Sequence, residues 1–209
     1  RERDPHNRLL ARQSRFRLPA EMIRDSALSM SGLLDLQIGG ASVKPYQPNG
    51  YYRHLNFPKR IYKHHEDLRQ WRRGLYVHWQ RQFLHPMLRA FDAPSREECT
   101  ASRVQSNTPT AALTLLNDPT FVEAARAFAE RLIRTVPSDP IKRLDHAFLI
   151  SLCRAPDAVE RQLLEGLLVS QIEYYEKHQD EAKALIGTGQ APAPDDLDLI
   201  EVASWTAVT

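Results

Sequence analysis

The sequence predicts an all-α protein, an irregular multi-helix bundle interrupted by a long loop rich in Gly and Pro near residues 38–52. Three observations lead there. Apolar residues recur every three or four positions over most of the chain, the spacing that lines one face of a helix. No run alternates with period two for long enough to read as a strand. Prolines preceded by small polar residues, above all Thr108-Pro109 and Asp118-Pro119, punctuate the second half as helix starts do.

The first helix is expected from Leu18 to about Leu33, with Pro19 near its first position and Gly32 near its end. Next comes IGGASVKPYQPNGYY, where Gly39, Gly40, Pro45, Pro48 and Gly50 forbid a continuous helix. Its Val43, Tyr46, Tyr51 and Tyr52 suggest a loop pinned to the surface, because a free linker is poorer in aromatics. Residues 64–83 are expected to form an amphipathic helix, with Leu68, Trp71, Leu75, Trp79 and Phe83 on one face and basic residues on the other. Residues 96–107 read as a helical turn and loop.

Thr108 and Asp118 are each expected to accept a hydrogen bond from exposed amides at a helix start, with the following proline at the first helical position. Asn107 and Asn117 support the two turns. The short helix from Pro109 to about Leu116 carries Ala111, Ala112, Leu113, Leu115 and Leu116 on nearly all sides, so it is expected to be a buried pillar. Further helices are expected at about 119–134, 140–153, 156–185 and 195–208.

With 209 residues, 42% of them hydrophobic, the chain is large enough for one substantial core, and a single helical domain over 1–209 is expected. No apolar run reaches the roughly 18–20 residues that a membrane span requires. The net charge of +2 conceals an asymmetry. Residues 1–104 hold 19 Lys and Arg against 10 Asp and Glu, a balance of +9, and residues 105–209 hold 9 against 16, a balance of −7. The halves are expected to attract one another, or to leave a basic patch for an anionic partner.

The chemistry-bearing residues mostly argue against catalysis. Cys99 and Cys153 form neither CxxC nor CxxCH, so zinc-knuckle and covalent haem motifs are missing; a bond between them stays open. Cys99 follows Glu97 and Glu98, whose charge disfavours a thiolate. No GxSxG is present, and IGGASVKP lacks the GxxxxGK[ST] spacing of a phosphate-binding loop. His54, His64, His65, His78 and His85 cluster within the sequence but without convergent carboxylate or thiolate ligands, so they are expected to be cap or surface histidines rather than metal ligands. The stretch PKRIYKHHEDLRQWRRGLYVHWQR mixes cations and aromatics, but its aromatics share the apolar stripe and are expected in the core, so nucleic acid is not an expected partner.

Three separated segments then carry a family resemblance: NRLLARQSRFRLPAEMIRDSALSMSGLLDLQIGGASVKPYQPNGYY, WRRGLYVHWQR, and FDAPSREECTASRVQSNTPTAALTLLNDPTFVEAARAFAERL. Together they resemble, in order over residues 5–134, a planctomycete-type domain of unknown function, the PSD family. The resemblance implies a fragment of a larger multidomain protein, exported to the periplasm or cell surface, with c-type cytochrome modules elsewhere in the parent. It implies no cofactor within these residues, haem c belonging to other parts, and it supplies no catalytic residues.

The expected function is therefore a non-catalytic helical interaction domain whose partners are other domains of its parent. Its candidate interaction surface comprises Lys44, Tyr46, Gln47, Arg69, Arg72, Arg73, Arg103 and Asn107, with Arg69, Arg72 and Arg73 left to pair with the acidic half or to stay solvated. Two alternatives are weighed against it. One is a share in the substrate site of an exported redox enzyme acting on carbohydrate, for which Arg103, Asn107, His54 or Tyr46 would have to converge in a deep cleft. The other is a nucleic-acid-binding module.

Overall fold

The structure is a computed structural model that describes residues 4–13, 16–53, 61–81, 83–137 and 139–209. Among these the fold is all-α: α1 (Ala20–Ser31), α2 (Pro86–Ala90), α3 (Pro109–Asn117), α4 (Pro119–Thr135), α5 (Pro140–Leu152), α6 (Ala158–Lys177), α7 (Gln179–Ile186) and α8 (Leu199–Val208). No helix is long and apolar enough to cross a membrane among the described residues.

Local chemistry explains most boundaries. Pro109, Pro119 and Pro140 each stand at the first position of a helix, and Thr108, Asp118 and Asp139 each accept from an amide of its first turn. Asp157 and Glu160 form a reciprocal capping box at the start of α6. Gly32 closes α1 in the left-handed conformation, φ 82°, its amide returning to the carbonyls of Leu28 and Ser29. The expected helix over 156–185 is two helices, parted at His178.

Helix α4 is the central rod. Its face buries Phe121, Ala124, Phe128, Ala129, Leu132 and Ile133, packing on α1 on one side and α8 on another. Two apolar clusters result. One gathers Ala129, Leu144, Leu168, Ile186, Val202 and Trp205 around α8; the other gathers Ala20, Leu84, Met87, Leu88, Phe91 and Phe121 beneath α1 and α2. Buried arginines tie the helices to their turns. Arg143 of α5 donates to the carbonyls of Val136 (3.0 Å) and Pro137 (3.0 Å) and to Glu201 of α8 (2.8 Å), with its guanidinium over the Trp205 ring.

Two expectations are corrected. Residues 64–83 are not a helix: Leu68–Trp71 and Gly74–Tyr76 form single 3-10 turns separated by extended backbone at Arg72 and Arg73. Leu68 and Leu75, expected on the buried stripe, are 68% and 69% exposed, while Gln70, Arg72 and Gly74 are buried in alternation. The reason is Gly74, which lies so close to α1 that a Cβ there would sit 2.7 Å from the Glu21 carbonyl oxygen. The segment instead pairs with the Gly-rich loop through bridges at Asp35–Arg72 and Val43–Val77.

The second correction concerns α3, which is no buried pillar. Only Ala111 is buried, and Leu113, Leu115 and Leu116 are exposed. Lying across the start of α4, the helix packs along one side only, against α4 and α2. Leu115 and Leu116 face an apolar groove of about 450 Å³ that also includes Met30, Phe128, Tyr175 and Leu185.

Among the described residues the charge asymmetry is not settled by ion pairs across the halves. The arginine ion pairs of the described residues stay within their own half: Arg69 with Asp67, Arg73 with Asp25 and Arg103 with Glu21 in the basic half, Arg126 with Glu130, Arg143 with Glu201 and Arg161 with Asp145 in the acidic one.

Candidate functional site

The loop of residues 38–53 is held at nearly every turn. Val43 donates its amide to the Tyr76 carbonyl (2.8 Å) and accepts from the His78 amide (2.6 Å), while Lys44 exchanges bonds with His65. Tyr62 donates its hydroxyl to the Pro45 carbonyl at 2.7 Å, and Tyr51 donates to the Leu84 carbonyl at 3.0 Å. The guanidinium of Arg72 collects the carbonyls of Gln37 (2.9 Å), Gly39 (2.5 Å) and Ala41 (3.4 Å) and stacks on the Tyr76 ring. A loop whose carbonyls and amides are satisfied in this way presents its outer side chains in fixed positions.

Tyr46 is fixed at both ends. Its carbonyl accepts from His85 Nε2 (2.8 Å), and its hydroxyl donates to Glu123 Oε2 (3.0 Å). Glu123, fully buried on α4, accepts through its other oxygen from the amides of Gln190 (2.7 Å) and Ala191 (2.6 Å). The tyrosine loop, α4 and the loop before α8 are thus joined at one carboxylate. Burial, followed by the carboxylate of Glu123, pushes the Tyr46 hydroxyl well above the usual phenol range.

His85 stands at the N-cap position of α2, as a cap histidine was expected to, but it is buried and its side chain makes no cap bond. Its Nε2 donates to Tyr46, so Nδ1 carries the lone pair, and that atom has no hydrogen-bond partner. Burial lowers its pKa to about 4, which keeps it neutral near pH 7. Nearby, Arg24 is fully buried on α1 and donates to the carbonyls of Arg72 (2.5 Å) and Gln70. Burial pushes its guanidinium down to about 10 against the opposing pull of Asp25, Asp118 and Glu123.

Above this polar interior lies a cleft of about 620 Å³ between the loop and the α3–α4 corner. Tyr46, Gln47 and Asn49 form one wall, with His64 beside them; Thr110, Asn117 and Asp118 form the other. Asn117 donates to the Leu113 carbonyl at 2.8 Å, and Asp118 accepts from the Thr120 amide at 2.9 Å. Burial raises the Asp118 carboxyl above its ordinary value. Neutral amides and hydroxyls on fixed elements can recognise a ligand, and among the described lining residues no Ser or Cys stands beside a base. Among the described residues, no group of three or more His, Cys, Asp or Glu side chains could hold a metal ion.

Of the residues singled out in the sequence, Tyr46 and Gln47 line this cleft. Lys44 stands behind it, its ammonium 5.8 Å from the Tyr62 ring centroid. Arg69 lies beyond His64 and is paired with Asp67 at 2.6 Å. Arg72 is buried and its guanidinium spent on the loop, so it is not part of any surface. Arg73 is 4.0 Å from Asp25 and Arg103 is clamped on Glu21 at 2.7 and 3.1 Å, neither of them reaching the acidic half. Asn107 is exposed ahead of α3, and neither it nor Arg103 lines the cleft. His54 lies outside the described residues. Asn49, Thr110 and Asn117 were not foreseen as a wall, since their sequence signals are those of turns and helix ends. Cys99 and Cys153 are both free and exposed.

No curated protein and no solved structure matches the chain. A family model does: residues 1–168, from the N-terminal region to about the middle of α6, match PSD1, described as a protein of unknown function (DUF1553), and the chain belongs to that family.

Proposed function

We propose that this is a non-catalytic helical packing domain, one that docks against neighbouring domains of a larger exported, cytochrome-containing protein. The observation that carries the reading is the uncovered face of α5 and α6. Helix α6 runs for 20 residues with Leu168 alone fully buried. Val159, Leu163, Leu167 and Val169 stay exposed on it, Leu163 at 68%, as do Leu149 and Leu152 on α5. An apolar surface of this kind on an otherwise well-packed fold marks an interaction site. The export and the cytochrome modules come from the family resemblance.

The test is the double substitution Leu163→Glu with Leu167→Glu, made in the isolated chain and in the natural full-length protein. In the isolated chain Leu163 is 68% and Leu167 37% exposed, so the loss of stability should stay within about 1 kcal/mol. In the full-length protein, α5 and α6 should become accessible to limited proteolysis. Equal protease resistance of full-length wild type and variant would remove this reading.

A further inference from the structure

The ridge formed by Gln47, Pro48 and Asn49 has a depression on each side. The larger is the cleft against α3 and α4; the smaller, about 320 Å³, is lined by Tyr51, Tyr52, Arg53, Ile61 and Tyr62. Gln47, Pro48, Asn49 and His64 line both, so the two depressions adjoin across the ridge, and a ligand lying over it would touch both sides of this trough. At the smaller end the three tyrosines are half-buried, Tyr52 and Tyr62 meeting edge to face at 5.3 Å. At the larger end Gln47, Asn49, Thr110, Thr114 and Asn117 set amides and hydroxyls among the apolar surfaces of Pro86, Met87, Leu113 and Pro119.

A second observation points to a ligand. The side-chain carbonyl oxygen of Gln47, on the ridge itself, is shielded from solvent and has no hydrogen-bond partner. A shielded acceptor without a donor costs about 1–3 kcal/mol; ten shielded side-chain atoms among the described residues lack a partner, and Gln47 Oε1 alone of them belongs to a residue lining the trough. Its missing partner must be a donor. The rest of the trough favours a ligand that both donates and accepts, since each side-chain amide offers one group of either kind. Arg53 is the single Lys or Arg lining either depression among the described residues. There is no sheet edge to receive an extended peptide, the only pairing among described residues being isolated bridges.

We propose that the trough binds a neutral oligosaccharide, with one sugar ring on the Tyr51, Tyr52 and Tyr62 platform, a hydroxyl donating to Gln47 Oε1, and further hydroxyls meeting Asn49, Thr110 and Asn117. The site goes beyond the packing role and does not depend on it, since the trough and the α5–α6 face involve different elements. It is also built from different residues than the Arg103 and Asn107 arrangement that the sequence suggested.

The experiment is calorimetric titration of the intact chain with cellohexaose, xylohexaose and maltohexaose, alongside hexagalacturonate and a proline-rich decapeptide. At least one neutral hexasaccharide should bind saturably, at least tenfold more weakly to Gln47→Leu and to Asn117→Ala, and unchanged to Arg103→Ala. Gln47→Leu separates binding from folding, because exchanging a carboxamide whose carbonyl is unpartnered for an apolar side chain should leave the melting midpoint equal or higher. No saturation by any neutral probe, binding indifferent to Gln47→Leu, or a preference for hexagalacturonate or the peptide would each overturn the proposal.

Discussion

Glu123 is the side chain whose removal should reach furthest. Its carboxylate is fully buried and accepts three hydrogen bonds, from the Tyr46 hydroxyl and from the Gln190 and Ala191 amides. Glu123→Ala deletes the acceptor but leaves all three donors in place. At about 1 kcal/mol for each of three orphaned donors, less whatever water recovers at the part-buried amides, the loss should be about 3 kcal/mol. For a chain of this size that corresponds to roughly 6–12 °C of melting midpoint. Gly189 supplies an internal control. A Cβ there would sit 2.3 Å from Glu123 Cδ, and its φ of +96° disfavours any L side chain. Gly189→Ala should therefore cost more in the wild type than in a Glu123→Ala background, where the clash is gone and only the backbone strain of about 1 kcal/mol remains. The assay is urea unfolding of the four proteins of the cycle. Additive losses, or a loss below about 1 kcal/mol for Glu123→Ala, would refute the assignment of Glu123 as the joint between the loop and α4.

The remaining predictions are local. His85 has a folded pKa of about 4 against an unfolded value near 6.5, so on acidification the unfolded chain takes up the proton first: full stability is present above about pH 6.5, is lost progressively as pH falls, and the loss levels off below about pH 4 at on the order of 3 kcal/mol. A His85→Gln variant should flatten that slope in melts between pH 7 and 4.5, and an unchanged slope would place the titration elsewhere. Thr108→Ala should lower stability by about 0.5–1 kcal/mol, the weaker end being favoured by a long 3.4 Å bond to the Ala111 amide; no loss would mean the cap is unformed in solution. Asp118→Asn should be neutral or stabilising, because the amide keeps the cap on Thr120 and removes a buried carboxylate, whereas Asp118→Ala should cost about 1 kcal/mol. Gly74→Ala should lower the melting midpoint severely, since its new Cβ meets α1 backbone rather than a side chain that can move.

The helices after residue 118 were legible because their signals are local. A capping side chain, a proline at the first turn and a 3.6-residue apolar period all act within a dozen residues, and α4, α5 and α8 begin or end close to where they were expected. Residues 64–83 failed for the opposite reason. Their leucines and tryptophans carry a helical period, but the segment is decided by contacts with residues 30 to 50 positions away. The side chains that face inward, Gln70, Arg72 and Gly74, are ones that hydrophobicity does not register. Arg24, Arg126 and Arg143 were hidden in the same way, because a buried arginine is betrayed only by the carbonyls and carboxylates that surround it. Of the site, Tyr46 and Gln47 were legible from the length and aromatic content of their loop. The opposite wall was not, since Thr110, Asn117 and Asp118 are equally good turn and cap residues, and only the packing of α3 across the start of α4 brings them to face the loop.

That corner links the fold to its proposed uses. Had α3 been enclosed, as its apolar sequence suggested, Leu113, Thr114 and Asn117 would have been core and the trough would have had one wall. Because α3 is held on one side only, it leaves Leu113 and Asn117 at the cleft and Leu115 and Leu116 at the apolar groove on its far side. The same short helix thus separates the trough, with its amides and hydroxyls, from a second, apolar groove, and substitutions on its two faces should have different consequences. Leu116→Ser should leave oligosaccharide titrations untouched, while Asn117→Ala should weaken them without altering protease resistance in the full-length protein. A single α3 substitution that changed both would mean that trough and groove are one site rather than two.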